Sequence, residues 1–169
     1  MTKLVTPEFR GSFVTLMQPR AYSEGVQPKY SITIALPKDD KFWEKVDGEI
    51  KAVCMEKWGE VPKKLKTFFK DGDEEDEKYG WKNCRVMTAS SKQKPGVVIK
   101  DGDDLREPIS EDEIYSGAFY RASIRPYAYE FQNSKGVAIA LDNVMKVKEG
   151  ERFTSKTTAN QDFSDFLND

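Results

Sequence analysis

The chain has 169 residues, a formal net charge of −2 and no histidine, with 33% charged, 38% hydrophobic and 12% aromatic residues. The length suits one domain with a short tail, and the aromatic content is too high for a disordered chain. The lack of histidine excludes Ser-His-Asp and Cys-His catalysis, and two cysteines 30 residues apart exclude a four-cysteine zinc site and a C-x-x-C redox pair.

Alternating patterns predict two strands in the N-terminal part of the chain. Residues 9–17 alternate so that Phe9 and Phe13 fall on one face. Residues 30–36 alternate cleanly and predict a half-buried strand. The stretch between them contains two prolines and a glycine, so we expect a loop there.

A change of period after the second strand predicts one helix. Apolar side chains recur at three- and four-residue spacing over residues 40–58, with lysines and glutamates between them. We expect Asp39 or Asp40 to cap the N-terminus of this helix and Gly59 to end it.

The rest of the chain predicts strands that are separated by charged loops. We expect short strands over residues 83–91 and 97–99, and longer ones over residues 118–131 and 136–147. Residues 71–77 contain six carboxylates and predict a loop. Five or six strands with one inserted helix favour a small antiparallel barrel, with a sandwich as the alternative.

The long strand over residues 118–131 separates its side chains by chemistry. Its even positions are mostly small or apolar, which suits the inside of a tight barrel. Its odd positions are mostly aromatic or cationic, namely Phe119, Arg121, Ser123, Arg125, Tyr127, Tyr129 and Phe131. Rings stack on unpaired bases and arginines pair with phosphates, so this face suits a single-stranded nucleic acid. The alternatives are a face covered by the helix or a loop, and a shift of the alternation at Pro126.

A second candidate surface is the basic segment over residues 78–100. It contains six lysines or arginines and no carboxylate, with Tyr79 and Trp81 near its start. The cations that we expect to hold phosphates are Lys82, Arg85, Lys92 and Lys94. Tyr22, in the first long loop, is a further candidate for stacking. A solvated lysine face is the alternative interpretation.

The acidic run over residues 71–77 does not match a calcium loop. An EF-hand that began at Asp71 would need glycine at its sixth position, where the chain has Asp76. No phosphate-binding loop or dinucleotide fingerprint occurs either. We therefore expect no metal, no cofactor and no catalytic residue, and a nuclease that uses Asp71, Asp73 and Asp103 is the enzymatic alternative.

The last residues predict a flexible acidic tail over residues 154–169, after a barrel domain over residues 1–153. The tail residues that could dock to a partner are Asp162, Phe163, Asp165, Phe166, Leu167 and Asp169. Two phenylalanines among carboxylates could anchor the tail in a basic, apolar pocket of a partner, or in the chain's own cationic groove. A terminal helix packed on the body is the alternative.

Several stretches together resemble a family of bacteriophage single-stranded-DNA-binding proteins that was first catalogued as a domain of unknown function. They are PKYSITIALPKDD, WGEVPKKLKTFFKDGDEE, NCRVMTASSKQKPGVV, EIYSGAFYRASIRPYAYEFQNSKGVAIALDNVMKVKEGE and the acidic tail. The resemblance implies an OB-fold, a five-stranded Greek-key antiparallel barrel, with an inserted helix. It also implies sequence-nonspecific binding of single-stranded DNA in phage DNA replication, recombination and repair. The tail would recruit replication proteins (polymerase, helicase or primase) and shield the groove.

The net charge of −2 is compatible with such a partner because the charges are segregated. Residues 71–77 contribute −6 and residues 151–169 contribute −2, so the remainder carries +6. A β-barrel module that binds a protein remains the competing hypothesis from another class. No run of 18 apolar residues and no signal peptide occur, so we expect no membrane segment and a location in the cytoplasm, that of the host cell for a phage protein. The oligomeric state, a homodimer included, stays open.

Overall fold

The computed structural model describes residues 3–21, 23–153 and 162–167. The strands in these ranges are β1 (Leu4–Val5), β2 (Phe9–Arg10), β3 (Ser12–Arg20), β4 (Lys29–Pro37), β5 (Lys70–Asp71), β6 (Cys84–Ser91), β7 (Gly96–Asp101), β8 (Asp104–Arg106), β9 (Phe119–Phe131) and β10 (Ser134–Lys148). The helix α1 (Phe42–Trp58) is inserted between β4 and β5. The predicted mainly β class with an inserted helix is therefore confirmed.

The long strands close into a barrel. β3 pairs with β4, β4 with β6, and β9 with β10, all antiparallel. β10 also meets β6 in parallel where Ala140 lies beside Ser90. β2 pairs with β9, and Gly11 alone separates β2 from β3, so one continuous segment joins both edges of the sheet. Five long segments in this order form the expected OB-type barrel, and β1, β5, β7 and β8 are short additions to it.

The inward side chains of the strands and one face of α1 form a single core. The even positions of β9 are almost completely buried at Tyr120, Ala122 and Ile124. From α1, Val46 and Cys54 enter the same cluster. Burial of these side chains provides the main stabilisation of the barrel, at about 25 cal/mol per Å² of apolar surface removed from water.

The end of α1 at Gly59 agrees with the prediction, whereas the residue at its N-cap position is Lys41, one residue after the predicted cap Asp40. The carboxylate of Asp40 accepts a hydrogen bond from the backbone N–H of Phe42 at 2.8 Å. Gly59 has φ 75°, and its N–H donates to the carbonyl oxygen of Met55 at 2.9 Å. A glycine suits this left-handed conformation because it has no Cβ to clash. In the part of the chain that the structure describes, no helix is long and apolar enough to cross a membrane.

The alternation of β9 continues through Pro126. This proline is buried and pairs with Ile139, in register with the pairs on either side of it. The odd positions therefore stay on the outer face as far as Tyr129.

The predicted face of the first strand is wrong from Phe13 onward. Phe9 and Leu16 are 3% and 1% exposed, whereas Phe13 is 48% exposed. The register with β4 shifts between Ser12 and Thr15, and Phe13 has φ 48°. The extra residue of this β-bulge reverses the alternation after it, which periodicity alone cannot reveal.

Candidate nucleic-acid interface

A groove crosses the outer face of the barrel over β4, β6, β9 and β10. It consists of three clefts of about 190, 440 and 410 Å³. The first and second share Phe68, Lys70, Met87 and Thr88 in their walls, and the second and third share Lys29, Ser90 and Tyr127. We call the first cleft, with the rings that pack on it, the aromatic end of the groove. The third cleft is its cationic end.

The aromatic end is built on a cluster of three rings, two of which are stacked on each other. Tyr79 stacks on Trp81 with ring centroids 4.6 Å apart and planes 23° apart. Phe13 contacts both rings, with centroids at 5.4 Å from Tyr79 and 6.2 Å from Trp81. Trp81 is 5% exposed and donates its indole N–H to Ser12 Oγ at 3.3 Å. The buried Trp81 therefore supports this ring cluster, and Phe13, Tyr79 and Phe68 present ring surface to solvent.

The cationic end lies where the turn between β6 and β7 faces β9. Lys92 and Lys94 are exposed in this turn. Lys29 and Arg125 complete a set of four cations around the cleft, against one carboxylate, that of Asp142. The net charge of the cleft is therefore positive, as binding of a phosphate backbone requires.

Arg125 and Asp142 form a bidentate ion pair at this end. The guanidinium donates to the two carboxylate oxygens at 2.8 and 3.0 Å. These hydrogen bonds raise the pKa of Arg125 above its usual value. Part of the positive charge of the cleft is thus already compensated within the protein.

The middle of the groove contains Tyr127, whose ring reaches both the second and the third cleft. Tyr129 lies two residues further along the outer face, with the two ring centroids 6.4 Å apart. Its ring lies over Gly136 of β10, where an added Cβ would come within 2.6 Å of the ring atoms. Gly136 thus makes the space that Tyr129 occupies.

The acidic run folds around a lysine. Lys38 Nζ lies 2.7 Å from a carboxylate oxygen of Asp71 and 2.7 Å from one of Asp73. Asp73 also accepts the backbone N–H of Asn83 at 2.8 Å. The hydrogen bonds from Lys38 and Asn83, respectively, lower the pKa of Asp71 and of Asp73. These carboxylates therefore hold the loop in place, while Asp103 lies apart from them in the turn between β7 and β8.

The described ranges contain no group of three histidine, cysteine or carboxylate residues that could hold a metal ion. The oxygens of Asp71 and Asp73, which the nuclease alternative would use, instead bond to Lys38 and to backbone amides. The geometry thus assigns these carboxylates a structural role.

Some of the predicted site residues lie outside the groove. Arg85 forms a bidentate ion pair with Asp47 of α1 at 2.9 and 3.0 Å, and its guanidinium lies over the rings of Trp43 and Phe69 at 4.7 and 4.0 Å. These contacts tie β6 to α1 and to the segment that precedes β5. Lys82 is exposed just before β6 and lines none of the three clefts.

The first half of β9 also points away from the groove. Phe119 lies under the ammonium group of Lys148, which is 4.7 Å from the ring centroid. Arg121 donates to the carbonyl oxygen of Thr6 at 3.0 Å and lines a separate shallow cleft. Strands twist, so the outer face of a 13-residue strand does not stay on one side of a barrel.

The rings and cations of the groove that were not predicted are Phe13, Lys29, Phe68, Phe69 and Lys70. The bulge that brings Phe13 to the groove has no pattern in the sequence. Residues 63–70, in contrast, combine four lysines with two phenylalanines, and this composition indicates a nucleic-acid-binding segment. Tyr22 and Asp169, which the sequence proposed for DNA and partner binding, lie outside the described residues.

A small barrel whose groove combines accessible rings with lysines is typical of proteins that bind single-stranded nucleic acids. Residues 2–169 match the model of a family described as "Enterobacter phage Enc34, ssDNA-binding protein", and the chain belongs to this family. The predicted phage single-stranded-DNA-binding family is therefore confirmed. This membership also supports the prediction of a binding protein rather than an enzyme.

Individual relatives agree with the family assignment. The single-stranded-DNA-binding protein of bacteriophage Enc34, solved in complex with ssDNA, is 28% identical and has a TM-score of 0.76, over 90% of this chain and 89% of that one. Protein p50 of Acyrthosiphon pisum secondary endosymbiont phage 1 is 27% identical, over 96% of this chain and 93% of its own length.

A more distant structure supports the fold alone. The single-stranded-DNA-binding protein gp2.5 of bacteriophage T7 is 13% identical, with a TM-score of 0.61 over 95% of this chain and 99% of that one.

Proposed function

We propose that this chain binds single-stranded DNA along the groove without sequence preference, and that it does so during phage DNA replication, recombination and repair in the cytoplasm of the host cell. The observation that carries the proposal is the continuous groove, in which rings at one end and lysines at the other line the same path. Family membership supports the choice of DNA as the ligand.

The two kinds of side chain have different tasks in this binding. Lys29, Lys92 and Lys94 hold phosphates, and each contact releases counterions from the strand. Phe68, Tyr79 and Tyr127 stack on bases, which tolerates any sequence because every base has a π face.

The floor of the groove favours stacking over readout of base edges. Thr33 and Thr88 bond to each other through their hydroxyl oxygens at 3.0 Å. Hydroxyls that satisfy one another are less available to base edges, whose hydrogen bonds supply sequence specificity. This agrees with binding that does not depend on sequence.

We further propose that residues 154–169 form a tail that recruits replication proteins and shields the groove. Its described part exposes 64% of Phe163, 64% of Phe166 and 81% of Leu167. The tail follows Phe153, whose N–H donates to the carbonyl oxygen of Ser116 at 3.4 Å.

The starting point of the tail lies near the aromatic end. Ser116 Oγ accepts the N–H of Val14 at 2.9 Å, and Val14 adjoins Phe13. An acidic segment that starts here is close enough to compete with DNA for the groove. Asp162 and Asp165 would supply part of its negative charge, and the phenylalanines would supply rings.

A titration of labelled oligo-dT, followed by fluorescence anisotropy at several salt concentrations, tests the binding. We expect saturable binding at low salt, with an affinity that falls linearly on a log–log plot against salt. No change in anisotropy at low salt would contradict the proposal and favour a module that binds protein. Competition by duplex DNA and by RNA measures the preference for single-stranded DNA.

Deletion of residues 154–169 tests the tail separately. We expect tighter binding of oligo-dT, because an anionic competitor has been removed. An unchanged affinity would contradict groove shielding and would leave the DNA-binding proposal intact.

A further inference from the structure

Phe13 has a backbone conformation that an aromatic residue rarely adopts. Its φ of 48° lies in the left-handed region, where the Cβ of an L-residue clashes with the backbone. The other described residues of this kind are Asn83, Gln132 and Asn133, which lie in connections between strands. Phe13, in contrast, lies within β3.

The residues on both sides of Phe13 hold this conformation in place. Ser12 Oγ accepts the indole N–H of the buried Trp81 at 3.3 Å. The N–H of Val14 donates to Ser116 Oγ at 2.9 Å. A strained residue persists where its surroundings determine the geometry in this way, and such residues cluster at functional sites.

The bulge determines which way the ring of Phe13 points. Ser12 pairs with Thr33 and Thr15 pairs with Ser31, and these β4 residues alternate with the core residues Ile32 and Ile34. Ser12 therefore lies on the groove side of the sheet. In a regular strand, the side chain of the next residue, Phe13, would point into the core.

The inserted residue instead brings Phe13 to the groove. Its ring lines the cleft that also contains Trp81 and Phe68, and it remains 48% exposed. The molecule thus combines two unfavourable features, a strained backbone and an exposed apolar ring, at one position of the proposed binding path.

We propose that Phe13 is a base-stacking residue, and that the strained bulge serves to direct its ring at an unpaired base. This rests on the proposed binding of single-stranded DNA. The rings of Tyr79 and Trp81 pack against that of Phe13, with planes tilted by 53°, so a base can stack without first ordering a mobile side chain.

The test compares oligo-dT with an abasic oligonucleotide of the same length. Phe13→Gly removes the ring and accepts a positive φ, while Phe13→Tyr keeps a ring of the same shape. We expect Phe13→Gly to bind oligo-dT about tenfold more weakly and Phe13→Tyr to bind as the wild type does. The abasic strand should bind all three proteins equally, because it has no base to stack.

Phe13→Asn, which also tolerates a positive φ, replaces Phe13→Gly in the test if the glycine variant does not fold. Unchanged affinity of the ringless variant for oligo-dT would overturn the role of Phe13 and leave the DNA-binding proposal standing. An equal loss on the normal and abasic strands would also overturn it, since that result reports a general distortion of the groove. A wild-type protein that binds neither strand would overturn both proposals.

Discussion

The aromatic end of the groove rests on rings that are packed into the barrel, whereas the cationic end includes a turn that projects from it. Trp81 is buried beneath Tyr79 and Phe13, while Lys92 and Lys94 are exposed between two strands. Stacking requires contact and orientation, so its side chains need rigid support. A charge acts through solvent over several ångströms, so a lysine on a turn can reach a phosphate in many conformations.

This difference implies that the two ends contribute to affinity in ways that can be separated. Contacts to phosphates weaken as salt rises, because released counterions must return to the DNA. Stacking of rings on bases has no such dependence. Changes at the cationic end should therefore alter the slope of affinity against salt, and changes at the aromatic end should alter affinity alone.

The largest effect is expected when the three lysines of the cationic end are replaced together. With about 0.7 counterions released per phosphate contact, Lys29→Ala/Lys92→Ala/Lys94→Ala should reduce the log–log salt slope by about 2. The affinity should then fall about 500-fold at about 50 mM salt and about 30-fold at about 200 mM. Anisotropy titrations across this range of salt measure both quantities.

The matched control removes the same charge from exposed positions of α1, with Lys45→Ala/Lys51→Ala/Lys57→Ala. We expect a far smaller change in affinity and slope from this variant. Equal effects of the two triple variants would show that overall charge, and not the cationic end, governs binding.

At the aromatic end, Phe68→Ala should weaken binding of oligo-dT about tenfold at every salt concentration, because it removes one stacking ring. Phe68 is 52% exposed and lines two of the three clefts. Phe131→Ala is the control, since Phe131 is 66% exposed and lines none of these clefts. A changed salt slope for Phe68→Ala would contradict the division of the groove into two ends.

Asp142→Asn should strengthen binding, because it frees Arg125 from its ion pair and removes the carboxylate from the cationic end. One additional phosphate contact would steepen the salt slope by about 0.7 and raise affinity up to about eightfold at about 50 mM salt. Asp47→Asn also breaks a bidentate pair, with Arg85, but outside the groove. The DNA affinity of Asp47→Asn should equal that of the wild type. A gain of affinity in both variants would show that loss of one negative charge anywhere strengthens binding, and not the release of Arg125 at the cationic end.

The smallest effect on binding is expected from a change remote from both ends. The guanidinium of Arg106 and the backbone N–H of Ile109 bond to Glu113 and lower the pKa of its carboxyl from 4.5 to about 2. Because the folded-state pKa is lowered, this stabilisation is present above about pH 4.5 and is lost as the pH falls towards about 2.

Glu113→Gln should therefore reduce the free energy of unfolding by about 1 kcal/mol at neutral pH, allowing for the partly exposed ion pair. The difference from the wild type should shrink between pH 4.5 and about 2, as urea unfolding at several pH values would measure. Glu107→Gln, on the same loop, is the control. Binding of oligo-dT should stay unchanged, and a loss would mean that stability and binding are not independent.

The sequence predicted local features well where a short pattern dictates them. The alternation of β9, the position of α1 and its end at Gly59 follow from neighbouring residues, since burial repeats every two or 3.6 residues. Arg125 and Tyr127 were identified from the alternation of β9, and Lys92 and Lys94 from the basic composition of residues 78–100. All four line the cationic end. Arg85 was chosen from the same basic segment, but Asp47 and two rings from distant segments occupy its guanidinium.

By itself, the sequence determined the mainly β class, the inserted helix, the family and the segregation of basic from acidic segments, because each of these depends on the types of residue and their spacing along the chain. Only the tertiary structure decided which residues share the groove. Phe13 reached it through a bulge, Phe68 and Lys70 through the pairing of β5 with β6, and Lys29 through the pairing of β4 with β6. Such proximity depends on register and twist between strands distant in sequence, which no local pattern records.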